Sequence, residues 1–277
     1  MSSIPVSKTK EHARASLGGG GGAPHARQPV WQRVKPQWLS LILGAVLWEI
    51  FGRLEISVVI PPFTSSLMAL IDLLSSGELP ANYAVSISNF LIGFGMAAVI
   101  GVLTGTLMAR YRVVEYALDT FIQAGNSAPM LAFIPIFIII FGLGPAIRIA
   151  VAFVFAYWII VVNTFTGMRS ADPSLQEMAR SFSASETQLF WKIMLPSSLP
   201  LILAGLRLGM TRALEGMING EMLVTIVGVG AMLMTFGGSF NAPYLFAVIL
   251  SLIIIALLFN SLARRIERRL AYWERRG

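Results

Sequence analysis

Chemistry in this chain has few places to come from. Cysteine is absent, and the only two histidines, His12 and His25, precede the first apolar run. That excludes a thiol nucleophile, a thiolate metal site, a buried Ser-His pair and a His-Glu zinc site. No G-x-x-x-x-G-K-[ST] occurs either: Gly18 to Gly22 lead into Ala23-Pro24, with no lysine to reach a phosphate. The chain is therefore expected to hold no metal or cofactor and to catalyse no reaction itself. What remains is the chemistry of passage. Glu49, Arg148, Arg207, Arg212, Glu215 and Glu221 stand inside apolar stretches, where an ionisable group must face protein or a watery path. Arg212 and Glu215, three apart, share a helix face and either neutralise each other or line such a path. An anion would prefer Arg207, Arg148 or the amide of Asn126 to a carboxylate, so Glu49 and Glu221 read as braces or rim groups.

A second group of residues could do mechanical work. Asp172-Pro173 supplies a helix start, with an acceptor at the cap and a ring whose missing N–H is harmless in the first turn. Leu175, Met178, Ala179 and Phe182 follow at i, i+3, i+4 and i+7, beside Glu177, so a short helix presents an apolar stripe. Ser185 with Gln188 forms a capping box for a second helix, expected to run to about Met194 because Pro196 discourages continuation. The two helices meet at Ser183, where a left-handed turn would cost a side chain roughly 1 kcal/mol. The segment reads as a cytoplasmic docking element.

The elements that must carry these residues are membrane spans. Hydrophobic residues make up 56% of the chain and charged ones only 13%, more apolar surface than a soluble domain could bury. Val85 to Ala109 and Ile149 to Met168 carry no charge and are long enough to cross a bilayer. The uncharged stretch from Met222 to Ala263 is too long for one span, and Gly237, Gly238, Asn241 and Pro243 divide it, placing the last helix at about Pro243 to Ala263. A first span is expected over Trp38 to Gly52 and a fifth over Leu199 to Gly220. The third, Tyr116 to Phe141, contains Asp119, Asn126, Pro129 and Pro135, and a span so interrupted belongs against protein or a cavity. The expectation is an all-α polytopic membrane protein of about six spans. Asn126, Met130 and Pro135 of the third, and Arg207, Arg212, Glu215, Met217 and Glu221 of the fifth, would face one another across the path.

Basic residues set the orientation. Lys8, Lys10, Arg14, Arg27, Arg33 and Lys35 precede the first span, and Arg264, Arg265, Arg268, Arg269, Arg275 and Arg276 follow the last, which puts both termini in the cytoplasm. The net charge of +7 is then a matter of topology and membrane lipid, not of nucleic acid. Residues 1–36 lack periodic apolar pattern and read as a disordered basic tail. No cleaved signal is expected, because the first apolar run starts only at Trp38 and carries Glu49. Residues 37–264 form the transmembrane domain, with the docking helices at 172–196. Residues 265–277 continue the last span as a basic helix, where Leu262, Ile266, Leu270 and Trp273 keep roughly helical spacing. Trp31 and Trp38 suit interfacial anchors. Ala97, Gly101 and Gly105, four apart, admit close helix approach, within the chain in preference to between subunits.

The pattern Glu177-Met178-Ala179, a turn residue at Ser183, Ile193 and then Leu195-Pro196 resembles the EAA signature of permease subunits of bacterial ABC importers. The family usually has Gly at the turn. Ile134-Pro135 with Phe141-Gly142, the run Ala204 to Gly209, and Gly228-Val229-Gly230 are similar to the nitrate, sulfonate and taurine importer permeases. This resemblance implies a MetI-like, type I permease fold and a bacterial inner-membrane location. It implies a second copy of the permease and a cytoplasmic ATP-binding subunit that carries ATP and Mg and grips Glu177, Met178, Ala179, Phe182, Ser183, Ile193, Leu195 and Pro196. It also implies a periplasmic or lipid-anchored solute-binding protein, and a small organic or inorganic anion such as a sulfonate, taurine or nitrate as cargo. The alternative is a self-contained secondary carrier, whose coupling-ion site would have to use Glu49 and Glu215.

Overall fold

The computed structural model describes residues 36–54, 59–224 and 227–270. The chain divides into two compact units, 1–45 and 46–277, and the contacts given below lie within the second. The tail read as disordered, apart from Pro36, lies outside the described residues, as does Trp273. Every described element is a helix: α1 (Pro36–Arg53), α2 (Phe63–Ser75), α3 (Glu78–Arg110), α4 (Arg112–Ser127), α5 (Ile134–Phe141), α6 (Pro145–Arg169), α7 (Pro173–Ser181), α8 (Glu186–Leu189), α9 (Leu195–Val224), α10 (Val229–Gly238) and α11 (Ala242–Leu270).

Among the described residues four helices are long and apolar enough to cross a bilayer: α3, α6, the continuous rod Glu186–Val224 and α11 to Glu267. A fifth crossing exists if α4 and the segment Met130–Phe141 count as one span bent by 102°. Pro129 explains that bend, since a proline forces the residue before it out of the helical region, and Ala128 is extended at ψ 145°. The expected first span is α1, a helix of 18 residues diluted by Gln37, Glu49 and Arg53, and it is not among the four.

α6 is the central post, with α3 along one side and α9 along another. The small-residue stripe of α3 is spent on this packing: a Cβ on Gly101 would lie 2.9 Å from Ile160 Cγ2, and one on Gly105 would lie 2.8 Å from the Val161 carbonyl. Phe90, Ala152, Ile160, Ala213 and Met217 fill the seam. A second core, with Leu70, Leu73, Leu79, Val229, Met232 and Val248, joins α2 and α10 to α3 and α11.

One expectation is corrected here. The helix that starts at Glu186 does not stop before Pro196 but runs on through α9. Phe190–Met194 form a π turn in which the Leu195 N–H donates to the Phe190 carbonyl. The extra residue widens the ladder where the proline ring would clash and where its N–H is missing. The Ser197 hydroxyl donates to the carbonyls of Ile193 and Met194 at 2.8 and 3.0 Å. The helices α2 and α10 are additions that the hydropathy pattern did not announce.

Candidate coupling element and solute pocket

The docking segment is built from strong local chemistry. The Asp172 carboxylate accepts the Ser174 N–H at 2.8 Å, and Pro173 occupies the first turn of α7. Hydrogen bonds from the Ser174 hydroxyl and backbone hold the Asp172 carboxyl below its ordinary range. At the far end the Ala184 N–H reaches the Ala179 carbonyl at 3.0 Å and the Ser183 N–H reaches Arg180 at 2.9 Å, the paired bonds of a Schellman stop. Ser183 closes it at φ +56°, so the turn that joins the two helices is left-handed although a side chain stands there. The capping box is complete, with Ser185 N–H to Gln188 Oε1 at 2.9 Å and Gln188 N–H to Ser185 Oγ at 3.3 Å.

Two buried residues, Ala171 and Leu189, each 1% exposed, moor the segment. Glu186 receives Arg110 of α3 at 3.5 Å and Arg180 of α7 at 3.4 Å; such exposed pairs contribute at most about 1 kcal/mol. The outer face is left bare: Leu175, Met178, Phe182 and Trp191 are 44%, 52%, 82% and 62% exposed. Glu177 and Ser183 are exposed beside them, and Ala179, Ile193, Leu195 and Pro196 are half-buried. α7 lies outside the candidate spans and leaves Leu175, Met178 and Phe182 bare, the kind of apolar patch that marks interaction surfaces.

The residues expected on the path separate into those that meet and those that do not. Asn126 and Met130, from the bent segment, and Arg212 and Glu215, from α9, line one pocket of about 340 Å³. Its wall is Trp158 and Phe155 of α6. The Trp158 ring seats where Gly125 has no side chain, since a Cβ there would lie 2.6 Å from Cδ2 and Cε2. Arg212 Nη1 donates to Glu215 Oε2 at 3.0 Å. Arg207 lies elsewhere, 2.9 Å from Glu267 of α11. Pro135 is exposed in the first turn of α5. Met217 is 2% exposed in the α3–α6–α9 seam, because it falls on the helix face opposed to the central post. Arg148 is 5% exposed and also outside the pocket.

Glu221 holds a different device. It is wholly buried, accepting the Ser86 hydroxyl at 2.8 Å and the Gly230 N–H at 3.0 Å. Ser86 in turn accepts the Val229 N–H at 3.0 Å, and Asn82 accepts the Gly228 N–H at 2.8 Å. The N–H groups at the start of α10, which have no partner within their own helix, are thereby tied to α3 and α9. Glu49 makes a comparable brace, accepting the Thr64 N–H and hydroxyl at 2.9 and 3.0 Å and pairing with Arg53. Both acids that a coupling-ion site would need, Glu49 and Glu215, are thus engaged within the chain.

Residues 97–272 match the family described as the binding-protein-dependent transport system inner membrane component. The chain belongs to that family. It is 31% identical over 242 residues to a protein of Bacillus subtilis provisionally named the aliphatic sulfonates transport permease protein SsuC, covering 85% of this chain and 88% of that one. It is 30% identical over 250 residues to the formylaminopyrimidine transport permease protein ThiX of Halalkalibacterium halodurans, covering 89% and 98%. Its fold is that of the permease in an inward-facing MetNI methionine ABC transporter, with TM-score 0.59 and 19% identity over 67% of this chain and 93% of that one.

The chain is therefore an ABC importer permease with the MetI-like all-α fold, a multi-span protein of the inner membrane. In this family ATP hydrolysis belongs to a separate subunit, and a binding protein is a further partner. Among this permease's site residues, sequence reasoning missed Trp158, Phe155, Ser86 and Asn82. Asn82 and Ser86 carried a usable signal, being polar residues one turn apart at the start of an apolar span. The aromatic wall carried none.

Proposed function

We propose that this permease forms, with a second copy of itself, the path for a small organic solute bearing an acidic group such as a sulfonate. It couples that path to a cytoplasmic ATPase through Asp172 to Pro196. The bare stripe of Leu175, Met178 and Phe182 on a doubly capped, sharply turned helix pair carries this reading. Glu177, Ala179, Ser183, Ile193, Leu195 and Pro196 complete the surface that seats in the ATPase. Both termini face the cytoplasm, and a periplasmic or lipid-anchored binding protein delivers the solute from outside. ATP and Mg²⁺ bind the partner; nucleotide binding draws the two docking elements together and turns the cavity outward, and hydrolysis resets it. A rigid joint at Ser183 suits that task, because a hinge there would absorb the motion instead of passing it to α9. The sulfonate assignment is supported by the name of the Bacillus subtilis relative.

The test is Ala179→Arg. It places a long cation in the half-buried middle of the stripe, and the expected result is loss of ATPase co-purification together with loss of transport. Survival of both sinks the coupling assignment.

A further inference from the structure

A separate groove of about 240 Å³ opens between α3, α9 and α11, walled by Phe94, by Leu206 and Met210, and by Leu262 and Ile266. Leu206 and Met210 stand roughly 120–180° around α9 from Arg212 and Glu215, so it faces another way from the pocket of Trp158. Among its described lining only Arg207 and Glu267 are ionisable. They pair at 2.9 Å between α9 and α11, with side chains 32% and 25% exposed, and add no net charge. Glu267 is also the last residue of the α11 crossing, and Leu262 lies roughly 7 Å deeper along that helix. The groove is thus apolar at hydrocarbon depth and polar where the headgroups begin. Leu262 and Ile266 are 54% and 47% exposed, so its mouth opens to the surroundings of the span. Around Glu267, α11 carries Arg264, Arg265, Arg268 and Arg269, four cations within six residues, of which Arg264, Arg265 and Arg269 are exposed.

We propose that this groove holds one acyl chain of an anionic phospholipid, whose phosphate is drawn by the arginine cluster of α11. A small solute suits it poorly: the space falls below the roughly 300 Å³ at which such sites usually begin, and its one polar pair is already satisfied. An acyl chain loses nothing against apolar walls at this depth, and it supplies the dispersion contacts that the open mouth otherwise lacks. Arg207 offsets Glu267, the one group on this wall that would repel a phosphate. The arginines then supply the selectivity, about fivefold in affinity for each one that reaches the headgroup. The site requires neither a particular solute nor the ATPase, and so stands apart from the coupling element.

The experiment places the intact importer complex in nanodiscs of equal phosphatidylglycerol and phosphatidylcholine, with a photoreactive diazirine on the acyl chain of one lipid and then of the other. On the native chain, illumination is expected to label Leu206, Met210 and Leu262 about fivefold more from phosphatidylglycerol than from phosphatidylcholine. Ile253 and Leu257, exposed on the opposite face of α11, should show no such preference. Ala263→Trp fills the groove and should abolish labelling there while leaving Ile253 and Leu257 as before. The triple change Arg264→Gln, Arg265→Gln and Arg269→Gln should equalise the two lipids without emptying the groove. Arg207→Gln leaves Glu267 facing the phosphate and should lower the phosphatidylglycerol yield, whereas Glu267→Gln should not. Groove positions unlabelled by either lipid, as they would be if a second permease copy covered them, overturn the proposal. So does an equal yield from the two lipids, or groove labelling that survives Ala263→Trp. The first arm uses the native chain, so the folding of a variant does not decide it.

Discussion

Replacing Gly228 by alanine should damage this protein far more than its small size suggests. Gly228 has φ +103° and ψ 169°, a region essentially reserved for glycine, where a side chain costs about 1–3 kcal/mol. The added Cβ would also lie 2.5 Å from both carboxylate oxygens of Glu221. Since Glu221 is wholly buried, the carboxylate cannot move aside without breaking its bond to the Gly230 N–H or to the Ser86 hydroxyl. Leaving one of these buried groups unpaired costs about 1–3 kcal/mol, so with the backbone strain the total is roughly 2–6 kcal/mol. At the size of this chain that lowers the melting midpoint on the order of 10 °C. The assay is thermal denaturation of the complex in nanodiscs, with Gly77→Ala as the reference. Gly77 also has positive φ, +78°, but a Cβ added there would meet nothing within 4 Å, so it reports backbone strain alone, about 1–2 kcal/mol. The second arm repeats Gly228→Ala in a Glu221→Ala background, where the carboxylate part of the cost should vanish. The reasoning is refuted if Gly228→Ala costs no more than Gly77→Ala, or if the coupling to Glu221 is under about 0.5 kcal/mol, the scatter of independent sites.

Ser183→Gly should tighten the docking joint: removing about 1 kcal/mol of left-handed strain outweighs the entropy of the freer unfolded chain, so exchange of the Ala184 amide should slow, and faster exchange would count against the strained stop. Tags at Ser2 and Gly277 should resist external protease in intact cells while one inserted at Ser239 is cut, because basic residues gather at both ends; a C-terminal tag cut from outside would overturn the orientation.

What the sequence disclosed divides by the distance over which its causes act. Asp172-Pro173 and Ser185 with Gln188 were legible because a cap is settled by residues two to five apart, and each formed with the expected bonds; at Ser183 the sequence marked the joint between the helices, and the left-handed stop itself emerges only in the structure. The break in the third segment was legible for the same reason, Pro129 acting on its neighbour Ala128. Pro196 misled because the rule against proline assumes an α-helical ladder, and one π turn at Phe190–Met194 evades it. The helices α2 and α10, of 13 and 10 residues, were too short to register as spans. The pocket was half legible: Asn126, Met130, Arg212 and Glu215 stood out as groups that lipid penalises, but Trp158 and Phe155 are apolar residues in an apolar helix and announce nothing. Glu221 was read as a brace or as a path residue, and only contacts 135 and 9 residues away decide its surroundings. Those contacts also give a physical cause to Gly228-Val229-Gly230, which in the sequence was only a resemblance. A Cβ at Gly228 would strike the Glu221 carboxylate, one at Gly230 would lie 2.6 Å from the Glu221 Cβ, and the N–H of Gly230 is one of the donors that the buried carboxylate requires. The two glycines and the glutamate are therefore one unit, and a change at any of the three should be compensated only by a change at another.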